Sequence, residues 1–132
     1  MEGYCIQYST PDVPCPVLAD RMMISRVIYN LINNAVTHTG ENRRISVTQS
    51  IRNRVVRISV ADEGPGIPDD QLDSIWERYY KIDKEHKRAA VGSGLGLSIV
   101  KTILSMHNAT YGVASSVGKG SVFWFELPLL TE

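Results

Sequence analysis

Residues 62–68 read Asp-Glu-Gly-Pro-Gly-Ile-Pro, and this stretch interrupts the strand and helix patterns on either side of it. Two glycines and two prolines cannot continue a strand, so they mark a turn. Asp62 ends a run rich in β-branched residues, where Gly64 and Gly66 allow the backbone to approach a flat ligand. A carboxylate at that point can accept a hydrogen bond from an exocyclic amine. The alternative is a tight turn that uses glycine and proline for geometry alone.

Upstream of this turn the pattern predicts two strands and, before them, a long helix. Strands are expected at 45–51 and 55–61, joined as a hairpin by Arg52-Asn53-Arg54. The helix opens at Asp20, a suitable N-cap, and stops at Thr39-Gly40. Its apolar residues recur at the spacing of one helix face, and they are Ile24, Val27, Ile28, Leu31, Ile32 and Ala35.

Downstream of the turn the pattern predicts a short helix, a long loop and a second main helix. Asp69 or Asp70 is expected to cap the short helix. Residues 81–94 are polar without periodicity, which predicts a loop of the long kind that is usually functional in compact domains. The remaining predicted elements are a strand over 3–9, a helix over 95–107 and strands over 110–115 and 121–127. This irregular alternation favours a two-layer α/β sandwich, with one mixed sheet covered by helices on one face.

The bulk composition is that of one soluble domain over residues 1–132. Lysine plus arginine equals aspartate plus glutamate, 14 against 14, which argues against a nucleic-acid-binding surface. The sequence contains no apolar run of membrane-spanning length and no secretory signal pattern. Cys5 and Cys15 allow one disulfide, but two unpatterned cysteines favour free thiols in a reducing compartment. We therefore expect a cytoplasmic domain.

Two further segments carry groups suited to a phosphate ligand. Asn30 and Asn34 are four residues apart on one helix face, and carboxamide oxygens are neutral ligands for a hard cation. The alternative is a solvated asparagine face. Residues 92–97 read Gly-Ser-Gly-Leu-Gly-Leu at a helix start, where unpaired N–H groups and the helix dipole favour anions. This loop lacks the ending of a P-loop, and no strand leads directly into it as a dinucleotide fold requires.

The order of these segments resembles the ATP-binding catalytic domain of sensor histidine kinases, in the GHKL superfamily. The matching segments are the N box Asn30-Leu-Ile-Asn-Asn34-Ala, the G1 box at 62–68, the F box Trp76-Glu-Arg-Tyr-Tyr80-Lys81, the G2 box at 92–97 and the last motif Gly118-Lys-Gly-Ser121-Val-Phe. They lie between Asp20 and Pro128, nearly the whole chain. The resemblance implies the Bergerat ATP-binding fold, with ATP and Mg²⁺ as its ligands.

The resemblance also implies a role for individual residues. Asn34 would bind Mg²⁺, Asn30 would lie near the phosphates and Asp62 would recognise adenine. Lys81 would reach the terminal phosphate, and 81–94 would form a lid over the nucleotide. The expected catalytic residues are Asn30 and Lys81. The expected nucleotide-contacting residues are Asn30, Asn34, His38, Asp62, Gly64, Gly66, Ile67, Tyr80, Lys81, Gly92, Gly94, Leu95, Gly96, Leu97 and Ser121.

The chain departs from the family pattern at two positions. Thr37 stands where members often carry a lysine or arginine, which removes one positive charge from the expected phosphate site. His38 follows it and would be a substitute contact for a phosphate or ribose. Trp76 replaces the usual phenylalanine of the F box, and we expect Trp76 and Tyr79 to be packing residues rather than ligand contacts.

The implied activity is transfer of the γ-phosphoryl group of ATP to a histidine on the dimerisation and phosphotransfer domain of the same kinase, and from there to a response regulator. No histidine of this chain stands in a phosphoacceptor motif, so that domain is expected to be absent here. The implied fragment is a monomer, cut from a homodimeric kinase that is anchored in the cell membrane.

Three other interpretations compete with a histidine kinase. ATP-hydrolysing relatives use a glutamate as general base where this chain has Asn30, and an amide cannot accept a proton at neutral pH. The aromatic and basic segment 76–81 likewise disfavours an anti-sigma-factor serine kinase. A degenerate, non-catalytic interaction module is the other alternative. The loss of basic character at Thr37 supports it, whereas Asn34, Asp62 and the complete glycine loop oppose it.

Overall fold

The computed structural model describes residues 5–39, 44–77 and 96–130. Five strands and two α-helices make up this part of the chain, with two single 3₁₀ turns between them. In chain order they are β1 (Cys5–Ser9), α1 (Arg21–His38), β2 (Arg44–Arg52), β3 (Val55–Asp62), 3₁₀ turns at Asp69–Gln71 and Ser74–Trp76, α2 (Gly96–Met106), β4 (Thr110–Ser116) and β5 (Gly120–Pro128).

The five strands form one mixed sheet in the order β1-β2-β3-β5-β4. β1 runs parallel to β2, and the other three pairs are antiparallel. Alternate side chains of β3 and β5 are buried beneath the two helices, whereas exposed residues such as Thr48 and Ala114 lie on the opposite face. The predicted two-layer α/β sandwich with a mixed sheet is therefore confirmed.

Helix α1 forms where its cap and its apolar spacing predict. Asp20 accepts a hydrogen bond from the Met23 N–H at 2.9 Å, which satisfies one of the free donors at the helix start. Val27, Leu31 and Ala35 recur every four residues and are buried, so this stripe faces the sheet. The opposite end stops at His38, one residue before the predicted Thr39-Gly40 stop, and Gly40 is outside the described residues.

The β2–β3 hairpin is tighter than the sequence pattern predicts. Arg52 is still part of β2, so the loop is the dipeptide Asn53-Arg54 and not three residues. Both loop residues have positive φ, 54° and 65°, as a two-residue type I′ turn requires. This turn matches the right-handed twist of the strands it joins.

The prediction of one short helix capped by Asp69 or Asp70 is wrong. Two separate 3₁₀ turns occupy this stretch, and the cap position of the first is Pro68, with no side-chain capping bond from Asp69 or Asp70. An eight-residue helix has little stability of its own, so tertiary packing decides the conformation. Trp76 packs edge-on against Tyr111 and Phe123, with ring centroids 5.0 and 5.7 Å apart. Trp76 is thus a packing residue, as predicted.

The other predicted elements agree with the structure wherever it describes them. α2 and the two closing strands are within about one residue of their predicted bounds, and Leu95 falls outside the described residues. The first strand begins at Cys5 in the described chain, and its five residues are exposed. Both cysteines are free thiols. Within the described residues, no helix combines the length and apolar character that crossing a bilayer requires.

Candidate functional site

Asp62 is a buried carboxyl at the end of β3. Asp62 comes two residues after Val60, so its side chain lies on the same helix-covered face of the sheet, and the residue is 5% exposed. Its Oδ1 accepts a hydrogen bond from the Gly64 N–H at 2.9 Å. Burial raises the pKa of Asp62 above its ordinary value, against the smaller lowering effects of the Gly64 N–H, of nearby His38 and of the Ser121 N–H. A buried carboxyl that is only partly compensated is a candidate binding group.

The glycine turn, residues 62–68, passes directly beneath the end of α1. A side chain at Gly64 would place its Cβ 1.8 Å from the carbonyl oxygen of His38, so only glycine fits. This close approach holds Asp62 next to the last turn of α1. The contact within the chain therefore accounts for Gly64, and a contact to a ligand remains a prediction.

The other side of the glycine turn rests on the β4–β5 turn. Gly66 has φ +81°, and a Cβ there would lie 2.2 Å from the carbonyl oxygen of Ser116. The Gly118 N–H donates to the carbonyl oxygen of Pro65 at 2.7 Å. Two turns far apart in sequence are thus held together by backbone contacts, and they fix the position of the Asp62 carboxyl.

Ser115 is a residue of the candidate site that was not predicted from the sequence. Its Oγ accepts from the Ile67 N–H at 2.7 Å, donates to the Gly120 carbonyl at 2.9 Å and lies 2.8 Å from the Ser121 Oγ. It therefore joins the glycine turn to both ends of the β4–β5 turn. Ser115 follows Tyr111 and Val113 among the alternate residues of β4 that face the helices. A polar residue at such an inward-facing position is the sequence feature that could have revealed it.

Helix α1 carries three of the predicted residues at intervals of four. Asn30, Asn34 and His38 are all half-buried, and eight residues of helix separate the first from the last by about 12 Å. The Asn30 Nδ2 donates to the Gly96 carbonyl at 3.4 Å, at the start of α2. His38 Nδ1 donates to the Asn34 carbonyl at 2.9 Å. One helix face thus runs from the Asp62 carboxyl to the start of α2.

Two of the predicted nucleotide contacts are core residues in the structure. Ile67 is 5% exposed and belongs to the hydrophobic core, and half-buried Leu97 packs against that core. Gly96 is the first residue of α2, where a Cβ would meet nothing within 4 Å. The other predicted positions, Tyr80, Lys81, Gly92, Gly94 and Leu95, together with the proposed lid at 81–94, lie outside the described residues.

A shallow cleft lies beside the β4–β5 turn, and Asp62, Ser115 and Ser121 are among the residues that line it. Its lining includes Ala114 and Val122, which alternate with the inward-facing residues Ser115 and Ser121. Ala114 and Val122 therefore face the open side of the sheet. The Asp62 carboxyl instead faces α1, on the covered side.

The raised pKa of Asp62 predicts a pH dependence of stability. Because the folded state binds the proton more tightly than the unfolded chain, the free energy of unfolding falls as pH rises from the ordinary carboxyl pKa through the raised one. Asp62→Asn is therefore expected to be more stable than wild type at pH 7, and the difference should shrink as pH falls through the raised pKa and be smallest below the ordinary carboxyl pKa of about 4. Urea denaturation across this range measures it, and Asp12→Asn controls for net charge. A constant difference between wild type and Asp62→Asn at every pH would contradict the prediction.

Comparison with known proteins identifies the family. Residues 19–131 match the family described as histidine kinase-, DNA gyrase B-, and HSP90-like ATPase. The chain belongs to this family. Within this ATPase family, the chain is 35% identical to the signal transduction histidine-protein kinase BaeS of Escherichia coli K12, over 96% of the chain and 27% of BaeS. It is 36% identical to the sensor-like histidine kinase SenX3 of Mycobacterium tuberculosis H37Rv, over 88% of the chain and 28% of SenX3.

Solved structures of histidine kinases share the architecture of this ATPase domain. The nucleotide-free catalytic domain of histidine kinase ThkA has a TM-score of 0.80 at 32% identity, covering 96% of the chain and 80% of that structure. Full-length ShkA in complex with AMPPNP has a TM-score of 0.81 at 32% identity, covering 98% of the chain and 26% of that structure. The resemblance predicted from the motifs is confirmed, and the chain is a histidine-kinase catalytic domain of the ATP-binding type.

Proposed function

We propose that this domain binds Mg-ATP and donates the γ-phosphoryl group to a histidine on the dimerisation and phosphotransfer domain of a two-component sensor kinase. The buried Asp62 carboxyl at the glycine turn is the observation that carries the proposal. It lies at one end of the α1 face that bears Asn34 and Asn30. A base would bind at Asp62, and the phosphates would extend along α1 towards the start of α2.

The base end is suited to an exocyclic amine. The Asp62 carboxylate is an acceptor that the Gly64 N–H and the neighbouring strand hold in one orientation. A buried charged acceptor binds an amine donor more strongly than an exposed one does, because less water competes. His38 lies near Asp62, so we assign it to the base or ribose end rather than to the terminal phosphate.

The metal proposal relies on an amide and not on a carboxylate cluster. Among residues 5–39, 44–77 and 96–130, no group of three or more His, Cys, Asp or Glu could hold a metal alone. An ion here would need the nucleotide phosphates as its main ligands, and the Asn34 carboxamide suits that arrangement. Mg²⁺ bound in this way would neutralise the phosphate charge.

Asn30 favours transfer of the phosphoryl group over hydrolysis. An amide cannot activate water as a general base, so the nucleophile must come from elsewhere. An imidazole on a neighbouring domain needs no such base, because its nitrogen carries a lone pair at neutral pH. This domain would contribute positioning and charge neutralisation, with Lys81 and the glycines of 92–97 proposed as phosphate contacts.

The proposed partners belong to a longer protein. The chain spans about a quarter of the length of the curated relatives it matches, 27% of BaeS for example. We assign the acceptor histidine to a separate dimerisation domain, and the next acceptor to an aspartate of a response regulator. We also propose that the fragment is a monomer and that the full-length kinase is a homodimer. The kinase would be anchored in the membrane with this domain on the cytoplasmic side, and no nucleic-acid partner is proposed.

A degenerate, non-catalytic module is the second candidate. Thr37 favours it, because the family often has a cation there, and here the Thr37 hydroxyl donates to the Asn33 carbonyl at 3.0 Å. The Thr37 hydroxyl therefore already has a hydrogen-bond partner within α1. A folded wild-type domain that binds no nucleotide in calorimetry would establish this candidate and contradict the kinase proposal.

Titration calorimetry with a non-hydrolysable ATP analogue tests the Mg-ATP proposal. We expect Mg²⁺ to raise the affinity of the wild-type domain about tenfold, since an ion contact of ~1.4 kcal/mol corresponds to that factor. Asn34→Ala should lose this gain and keep its affinity in the absence of Mg²⁺. Asn33→Ala, the adjacent asparagine, is the matched control and should keep the gain. An equal Mg²⁺ effect in Asn34→Ala and wild type would exclude Asn34 as the ligand.

A further inference from the structure

The open face of the sheet, on the side away from the helices, carries an arginine that is held in place. Arg57 of β3 lies directly opposite Glu126 of β5, and its Nε donates to the Glu126 Oε2 at 2.8 Å. The guanidinium carbon of Arg57 lies 4.0 Å from the centroid of the Trp124 ring. An ion pair and a cation–π contact together therefore fix the orientation of this guanidinium.

Gly112 makes room for the Trp124 ring that supports Arg57. Gly112 lies opposite Trp124 in the β4–β5 register, and a Cβ there would lie 2.8 Å from Cζ2 of the indole. The indole therefore extends over this glycine along the sheet, and the tryptophan is half-buried. A glycine inside a strand has no side chain of its own to pack, and here the aromatic ring fills that place.

Positive charge is in excess on the open face. Because side chains alternate along a strand, the described strands place three arginines and one glutamate on this face, and they are Arg44, Arg52, Arg57 and Glu126. Arg52 comes two residues after Ser50, the register partner of Arg57. Such diagonal neighbours lie about 7–8 Å apart. Two cations at this distance repel each other, so an anion that contacts both is favoured.

Arg57 has donors that the chain does not use. A guanidinium carries five N–H groups, and in the described part of the chain the Arg57 side chain has one hydrogen-bond partner, the Glu126 carboxylate at Nε. The Arg57 side chain is 41% exposed. An ion pair this exposed contributes little to stability. Nη1 and Nη2 remain available to two carboxylate oxygens, and the fixed side chain loses little further freedom on binding.

We propose that Arg52, Arg57 and Trp124 form a docking surface for an extended acidic segment of a protein partner, with one carboxylate on each arginine. Carboxylates at alternate positions of an extended segment are about 7 Å apart, which matches the spacing of the two arginines. Tryptophan and arginine are also the residue types that most often dominate the affinity of protein interfaces. The surface lies on the opposite face of the sheet from the Asp62 carboxyl, so the inference is independent of the proposed nucleotide site.

Nuclear magnetic resonance of the isotope-labelled domain tests this inference by titration with a short peptide. The probe is acetyl-Thr-Glu-Thr-Glu-Thr-amide, and the control peptide has glutamine in place of both glutamates. We expect the acidic peptide alone to shift the indole N–H signal of Trp124 and the Nε–H signal of Arg57 to saturation. The shifts should weaken with added salt, because the contact is between exposed charges.

Variants separate a specific arginine contact from attraction by net charge. Arg57→Gln should bind the acidic peptide about tenfold more weakly than wild type, since it loses a charge-assisted hydrogen bond. Arg57→Lys keeps the charge but loses the planar fork and its stacking, so we expect binding about fivefold weaker. Arg26→Gln removes the same charge from an exposed position on α1 and should bind as wild type does.

Three results would overturn the inference. Equal affinities of wild type and Arg57→Lys would mean that net charge alone attracts the peptide. Equal binding of the two peptides would exclude recognition of carboxylates. A domain that ignores the acidic peptide but binds phosphatidylglycerol vesicles through Arg57 would have a membrane surface here instead of a protein-docking surface. The ADP affinity of Arg57→Gln should equal that of wild type, which shows that the variant is folded and that the two sites are separate.

Discussion

Replacement of Asp62 by alanine is expected to lower the affinity for ADP about a hundredfold. A hydrogen bond to a charged group contributes about 1.5–3 kcal/mol, and each 1.4 kcal/mol corresponds to a factor of ten. The carboxyl is 5% exposed, so little water replaces the lost contact. Titration calorimetry on the purified domain measures the change.

Asp62→Ala should still fold, which makes the binding result interpretable. The substitution leaves the Gly64 N–H without its acceptor, but it also removes a carboxylate whose burial is unfavourable. These effects on the free energy of unfolding oppose each other. Asp62→Asn keeps an acceptor for Gly64 and separates loss of charge from loss of the side chain. Retained ADP affinity in a folded Asp62→Ala domain would remove Asp62 from the binding site.

Gly66→Ala is expected to destabilise the domain by about 3 kcal/mol or more. A non-glycine residue at positive φ costs about 1–2 kcal/mol, and the added Cβ would also collide with the Ser116 carbonyl oxygen, 2.2 Å away. The glycine turn must then move and lose its bonds from Gly118 and to Ser115, each worth about 1 kcal/mol. Urea denaturation followed by circular dichroism measures the loss.

Gly118→Ala is the matched control for this experiment. Gly118 has φ +85°, nearly that of Gly66, but a Cβ there would meet nothing within 4 Å. It should therefore cost only the backbone strain of about 1–2 kcal/mol. The difference between the two variants isolates the close approach of the two turns. If Gly66→Ala and Gly118→Ala lower the free energy of unfolding equally, the close approach of the two turns contributes nothing to stability.

Local chemistry predicted most of the elements. The capping side chain of Asp20 and the four-residue spacing of Val27, Leu31 and Ala35 are sequence-local, so α1 was predicted to within about one residue. The turn between β2 and β3 also depends on residues that are neighbours in sequence, and both of these strands were predicted. Asp62 was predicted as a binding group because it adjoins two glycines, and the structure adds that it is buried.

Properties that depend on distant contacts could not be predicted in this way. The pairing of β3 with β5 rather than β4, and the parallel β1, follow from assembly of the whole sheet. The 69–76 stretch forms 3₁₀ turns because Trp76 packs on the sheet, which local propensity does not encode. Ser115 was missed for the same reason, since its partner Ile67 is 48 residues away in sequence.

The junction of the two turns has a consequence for folding. Because the glycine turn is closed by contacts across 48 residues of chain, the site cannot exist before the long-range closure that completes the sheet. A nucleotide that binds here recognises only the fully assembled domain. Mass action then stabilises the whole fold by RT ln(1 + [L]/Kd), about 2.7 kcal/mol when the nucleotide is at a hundred times its Kd. Nucleotide concentration would thereby influence the lifetime of the folded domain as well as the occupancy of its site.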